Sequence, residues 1–130
     1  MLKKFVLVTG VMDILLGLAV SIPVLLAAKT PVFVVSFMLG GFLMFCGAVL
    51  MWAAYDLAAR GPVVFWQGLL RLLAVGTMLY ALSAGLAGSE TYFSLVVDSI
   101  VGPVYLIGVT RLLGLPPHKI FMGMTAAKAS

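Results

Sequence analysis

Apolar residues run through most of the chain in four long stretches, and polar residues are concentrated in the short segments between them. A helix needs about 20 consecutive, mostly apolar residues to cross the hydrocarbon core of a bilayer. The stretches meet that length and predict four membrane-spanning helices, over residues 5–28, 32–55, 63–86 and 92–114. The chain is therefore predicted to be a single all-α transmembrane domain, residues 1–130, that ends in a tail over residues 115–130.

The connections between the predicted helices are short and lie over residues 29–31, 56–62 and 87–91. Short connections force consecutive helices to run antiparallel. The fold class expected from this pattern is an integral membrane, up-down four-helix bundle.

The composition agrees with a membrane location, because 64% of the residues are hydrophobic and only 9% are charged. A soluble domain is about half apolar and about a quarter charged. This excludes a soluble enzyme and a soluble nucleic-acid-binding domain. The formal net charge is +4, but the basic residues lie mostly at helix ends, where they face anionic lipid headgroups. No nucleic-acid partner is expected.

The distribution of basic residues also predicts the orientation, since cytoplasmic loops are enriched in Lys and Arg. With the N-terminus in the cytoplasm, Lys29 is the only base on the outer side. Six bases then lie on the inner side: Lys3, Lys4, Arg60, Arg111, Lys119 and Lys128. Both termini are therefore predicted to be cytoplasmic.

Two charged residues of opposite sign lie at the same predicted depth inside the apolar stretches. Asp13 and Arg71 each lie about 12 Å from the cytoplasmic end of their predicted helix. A charge in hydrocarbon costs at least about 2.5 kcal/mol on insertion scales. We therefore predict an Asp13–Arg71 ion pair between the first and third helices. The pair would be either a structural clamp or part of a polar site.

A second acidic residue, Asp98, lies about 9 Å from the outer end of the fourth helix. Counted in this way, Arg71 is too deep to reach it, and Tyr80 lies at a matching depth. Asp98 is expected to accept a hydrogen bond from Tyr80 and to have no cation. This defines a candidate polar site of Asp98, Tyr80, Ser94, Ser99 and Tyr105. It would either handle protons or cations or be a solvated outer crevice without function.

Small residues indicate which helix faces pack against protein. Gly10, Asp13, Gly17 and Ser21 follow spacings of three and four, which places them on one face of the first helix. Ser94, Asp98 and Gly102 align in the same way on the fourth helix. Small residues allow membrane helices to approach closely, so both aspartates are expected to point towards protein.

Apart from the intramembrane carboxylates, the sequence contains few residues that could bind a metal or a cofactor or act in catalysis. The single histidine, His118, lies in the tail, and no Cys, His and Glu residues cluster at metal-ligand spacing. No cofactor, no metal site and no catalytic residue are expected. The sequence favours a role other than catalysis, although proton transfer by a carboxylate stays open.

The segment from Tyr55 to Arg71, YDLAARGPVVFWQGLLR, resembles a pattern in small bacterial four-helix membrane proteins of the DoxX-like kind. The resemblance covers the middle of the chain and the overall architecture. It implies a membrane location and no particular activity.

The expected function is that of a small accessory or binding subunit of the bacterial inner membrane. Its partners would be the lipid bilayer, other membrane helices, a lipid-like ligand or a second copy of the chain. Two alternatives are a dimeric transporter that uses Asp13 or Asp98 and a membrane enzyme that acts on a lipid or quinone.

Overall fold

The computed structural model describes residues 1–27 and 31–125, and within these residues every regular element is a helix. The expected all-α class is therefore confirmed. The described residues form five helices: α1 (Leu2–Leu26), α2 (Phe33–Tyr55), α3 (Leu57–Ser83), α4 (Thr91–Leu113) and α5 (Pro117–Phe121).

The four long helices match the four predicted membrane spans in number and character. Each is long and apolar enough to cross a membrane, with a mean hydropathy of 2.3, 2.3, 1.5 and 1.7 in the best 18-residue window of α1 to α4. Residues 28–30, which include the end of the first predicted span and Lys29, lie outside the described residues, as does Lys128.

The third helix differs most from its predicted bounds. It begins at Leu57 instead of residue 63, because Ala58 and Ala59 are strong helix formers and Asp56 is a favourable residue type directly before a helix. Pro62 lies inside the helix and removes only one backbone hydrogen bond.

The C-terminal end of α3 lies at Ser83 because Gly85 adopts a positive φ of 67°. Its amide donates to the carbonyl of Leu82, and the amide of Leu86 donates to the carbonyl of Ala81. This is the Schellman arrangement that ends many helices, and it places the end of α3 three residues earlier than predicted.

The chain divides into two compact units, of which the first comprises residues Met1–Asp56. In this unit α1 and α2 pack through glycines at very close range. A methyl group on Gly10 would lie 2.8 Å from the carbonyl oxygen of Gly47, and one on Gly17 would lie 2.5 Å from that of Gly40. Residue numbers rise along α1 as they fall along α2, so the two helices are antiparallel.

The second unit comprises residues 57–130, of which 57–125 are described. Here α3 and α4 are antiparallel and cross at Gly68 and Gly102, each of which lies against the backbone carbonyl of the other. Towards the beginning of α3, Gly61 packs against the side chains of Val109 and Leu113 near the end of α4.

The tail contains a short helix that the sequence analysis did not predict. Gly114 ends α4 with a φ of 63°, and Pro116 precedes α5. The returning chain packs α5 against α3 and α4. Ile120 is fully buried, and the indole Nε1 of Trp66 donates a hydrogen bond of 3.2 Å to the carbonyl oxygen of Phe121.

Candidate functional site

The most distinctive polar feature of the described structure is an ion pair between α3 and α4. The Nη1 atom of Arg71 donates a hydrogen bond to Oδ1 of Asp98 over 2.5 Å. The Gly68–Gly102 contact positions both groups, since Arg71 lies one turn after Gly68 and Asp98 one turn before Gly102. In an antiparallel pair, these two positions share one layer.

The pair is largely shielded within the second unit. The side chains of Arg71 and Asp98 are 14% and 15% exposed. The guanidinium carbon of Arg71 lies 5.9 Å from the ring centroid of Tyr105, which is fully buried. An arginine over an aromatic face gains a cation–π attraction, so Arg71 is held both by the carboxylate and by this ring.

The expectation that Asp98 has no cation is therefore wrong. It arose because depth was counted from the predicted span ends, and α3 begins six residues before the predicted start. The crossing at the two glycines, and not the span ends, sets the register between α3 and α4. Arginine also has a long side chain whose charged group can lie well away from its own Cα.

The predicted hydrogen bond between Tyr80 and Asp98 is absent from the described residues. Tyr80 is 68% exposed, and it follows Arg71 by nine residues, which places it on the opposite face of α3 at 3.6 residues per turn. Its hydroxyl therefore points away from the face that holds the ion pair.

The remaining members of the candidate polar site separate into two kinds. Tyr105 follows Asp98 by seven residues, close to two full turns, so it lies on the same face of α4, and its ring centroid is 5.9 Å from the guanidinium carbon of Arg71. Ser94 and Ser99 are exposed on α4. The structure therefore brings together Arg71, Asp98 and Tyr105, and whether they act as a functional site stays a prediction.

Asp13 lies in the first unit and is only 7% exposed. Gly10, Gly17 and Ser21 are buried along the same face of α1, as the small-residue spacing predicts. Another buried polar residue of that helix, Thr9, donates from its hydroxyl to the backbone carbonyls of Phe5 and Val6. The Asp13–Arg71 pair stays a prediction from the sequence.

The pair of Arg71 and Asp98 can neutralise two charges in an apolar layer and fix the register of two helices. Within the described residues, no group of three or more His, Cys, Asp or Glu side chains could hold a metal ion. The single cysteine, Cys46, is buried in α2.

Two structural features escaped the sequence reasoning. Gly61 and Gly68 are seven residues apart on α3, a spacing that places them on one face and that could have aligned α3 with Gly102. The second feature is the attachment of α5 through Trp66, Ile120 and Phe121. The residues GLPPHKIF, a helix-ending glycine followed by two prolines and an apolar pair, are the signal for a chain reversal there.

Comparisons with protein-family models, with curated proteins and with solved structures gave no significant match.

Proposed function

We propose that the chain is a small multi-pass protein of the bacterial inner membrane that serves as an accessory or binding subunit. In this role it contacts other membrane helices or a lipid-like ligand. The observation that carries the proposal is the Arg71–Asp98 ion pair. Because these two charged side chains bind each other and hold α3 to α4, their role is structural and not chemical. The resemblance of the sequence to DoxX-like membrane proteins is compatible with such a role.

The outward surfaces of the long helices support contact with apolar partners. Large apolar side chains are strongly exposed along them, among them Val35 at 71%, Phe45 at 69% and Leu73 at 67%. Monomeric soluble proteins rarely expose such continuous apolar surface. These faces are suited to lipid chains and to the helices of a partner or of a second copy.

The proposed orientation has both termini in the cytoplasm, and the basic residues at the helix ends support it. It is tested by labelling single cysteines in a Cys46→Ala background with a membrane-impermeant maleimide. Ser89→Cys, between α3 and α4, is expected to react in intact cells. His118→Cys, on α5, is expected to react only after the membrane is permeabilised, and the reverse pattern would invert the topology.

The subunit role is tested by site-specific photo-crosslinking in native membranes. A photoreactive residue at Leu73, which is 67% exposed, is expected to form adducts with another membrane chain or a second copy. The matched control is Val64, on the same helix and fully buried, which should give none of these adducts. Adducts to bulk lipid alone at Leu73, Phe45 and Val35 would contradict a subunit role.

The alternative of a dimeric transporter requires an intramembrane carboxylate that exchanges protons or cations. The ion pair to Arg71 disfavours Asp98 for this task, since Oδ1 of the carboxylate is already engaged by the guanidinium in a largely shielded position. Purified protein in liposomes loaded with a pH-sensitive dye is expected to give no proton flux. A flux that disappears in Asp98→Asn or Asp13→Asn would favour transport instead. Turnover of an added lipid or quinone would favour the enzyme alternative.

A further inference from the structure

One end of the second unit is rich in basic residues, although an acidic residue, Asp56, directly precedes α3 in the chain. This end consists of the beginning of α3, the end of α4 and α5, and no acidic residue occurs in residues 57–68 or 105–125. Four ionisable basic residues lie there: Arg60, Arg111, His118 and Lys119. Arg60, Arg111 and Lys119 are charged at pH 7, and a surface with an excess of positive charge attracts an anionic partner.

The position of Lys119 in this surface depends on how α5 is held. The rings of Trp66 and Phe121 lie 4.2 Å apart between centroids, and the Trp66 indole bonds to the backbone of Phe121. Ile120 fills the space beneath the helix and is fully buried. At the end of α5, Gly123 has a φ of 80°, and its amide donates to Ile120. The chain directly after Lys119 is therefore held in place.

The same surface also exposes apolar groups beside its charges. Trp66 is 48% exposed, Phe121 is 47% exposed and Met122 is 67% exposed, and Arg111 is an exposed residue in the last turn of α4. Tryptophan prefers the level of the lipid headgroups, and a short segment with basic and apolar sides lies naturally in that interface. Binding of a free anion would use only the basic groups and would not account for the exposed apolar side chains beside them.

We propose that Arg111, Lys119 and the Trp66–Phe121 pair form a binding surface for the headgroup of an anionic phospholipid. The inference rests on the proposed membrane location and names the lipid class that this end of the chain selects. Arg111 and Lys119 contact the headgroup phosphate, and Phe121 and Met122 contact the beginning of the acyl chains.

The test is native mass spectrometry of the purified chain in detergent with two added lipids. Dioleoyl phosphatidylglycerol and dioleoyl phosphatidylcholine have the same acyl chains, so a difference between them reports the headgroup. The unchanged protein is expected to retain the anionic lipid preferentially. Arg111→Gln combined with Lys119→Gln is expected to lower that retention about 25-fold, from about fivefold for each base.

Two control variants separate a local surface from general attraction. Lys3→Gln with Lys4→Gln removes the same charge from the exposed start of α1 and should leave retention within about twofold of the unchanged protein. Arg111→Lys with Lys119→Arg keeps the charge and should keep the lipid. Circular dichroism of every variant verifies that the helices are intact.

Three results would overturn the proposal: equal retention of both lipids, full retention by the Arg111 and Lys119 double variant, or an equal loss in the Lys3 and Lys4 variant. Displacement of the lipid by millimolar inorganic phosphate would assign the surface to a free anion and would also overturn it. None of these results bears on the proposed subunit role, which the labelling and crosslinking experiments test separately.

Discussion

Nη1 of Arg71 on α3 and Oδ1 of Asp98 on α4 are joined by a hydrogen bond of 2.5 Å, one turn beyond the crossing of Gly68 and Gly102. The glycines let the two backbones approach, and the ion pair fixes one helix against the other along its axis. A register slip of one residue would separate both contacts. The pair thus specifies register in addition to neutralising charge.

Asp98→Asn is expected to lower the free energy of unfolding by about 3 kcal/mol. The change removes the carboxylate charge that the guanidinium of Arg71 contacts in a shielded layer, and breaking a buried pair in this way costs about 3–5 kcal/mol. Thermal unfolding in detergent, followed by circular dichroism, measures the loss. Glu90→Gln is the control, because Glu90 is exposed and should change stability by less than about 0.5 kcal/mol.

Exchange of the two charges, Arg71→Asp with Asp98→Arg, is expected to recover part of the stability lost in Asp98→Asn. The opposite charges remain at neighbouring positions, although the arginine now lies on α4 and the aspartate on α3. If Asp98→Asn proves as stable as the unchanged protein, the ion pair is not what holds α3 to α4.

Two adjacent glycines of α2 are expected to respond oppositely to alanine. A Cβ on Gly40 would lie 2.8 Å from the backbone carbonyl oxygen of Gly17 and would also overlap Ser21. The resulting overpacking costs about 1–3 kcal/mol. A Cβ on Gly41 meets nothing within 4 Å, so Gly41→Ala should stabilise the helix by up to about 1 kcal/mol.

Thermal unfolding of the two single variants, Gly40→Ala and Gly41→Ala, in the same detergent compares them directly. Because both changes are chemically identical and adjacent, detergent effects cancel in the comparison. Equal midpoints, or a more stable Gly40→Ala, would mean that α1 and α2 do not meet at this glycine.

Trp66→Phe is expected to loosen α5 without unfolding the long helices. The change keeps an aromatic ring near Phe121 but removes the donor to its carbonyl, a bond that contributes about 0.5–1.5 kcal/mol. Hydrogen exchange at the amides of Ile120 and Met122 should accelerate by about three- to tenfold, measured by mass spectrometry. Trp52→Phe on α2 is the matched control, and equal acceleration there would contradict a specific role for Trp66.

The number and type of helices could be predicted from the sequence, since apolar stretches of membrane length require helices whatever their packing. The bounds of α3 could not, because Gly61 and Pro62 resemble a connection while the backbone continues through them as a helix. Hydropathy reports where side chains are apolar, and it does not report where backbone hydrogen bonds begin.

The partner of Asp98 escaped prediction for a related reason. Depth counted along single helices ignores the relative shift of two helices, which is set by the smallest residues at their crossing. Tyr105 is seven residues after Asp98 on the same helix, a spacing that places both residues on one face. Contacts within one helix face follow from sequence spacing, whereas contacts between helices require the crossing point.

The sequence-based pairing of Asp13 with Arg71 leads to a test of its own. Asp13 is 7% exposed, so Asp13→Asn is expected to lower stability if a buried positive charge compensates its carboxylate. A double-mutant cycle with Arg71→Gln is then expected to be non-additive by about 1–3 kcal/mol, as for residues in one charge network. Thr9→Val, at another buried polar residue of α1, should combine additively with Arg71→Gln. Additive losses of stability for Asp13→Asn and Arg71→Gln would show that Arg71 does not interact with Asp13.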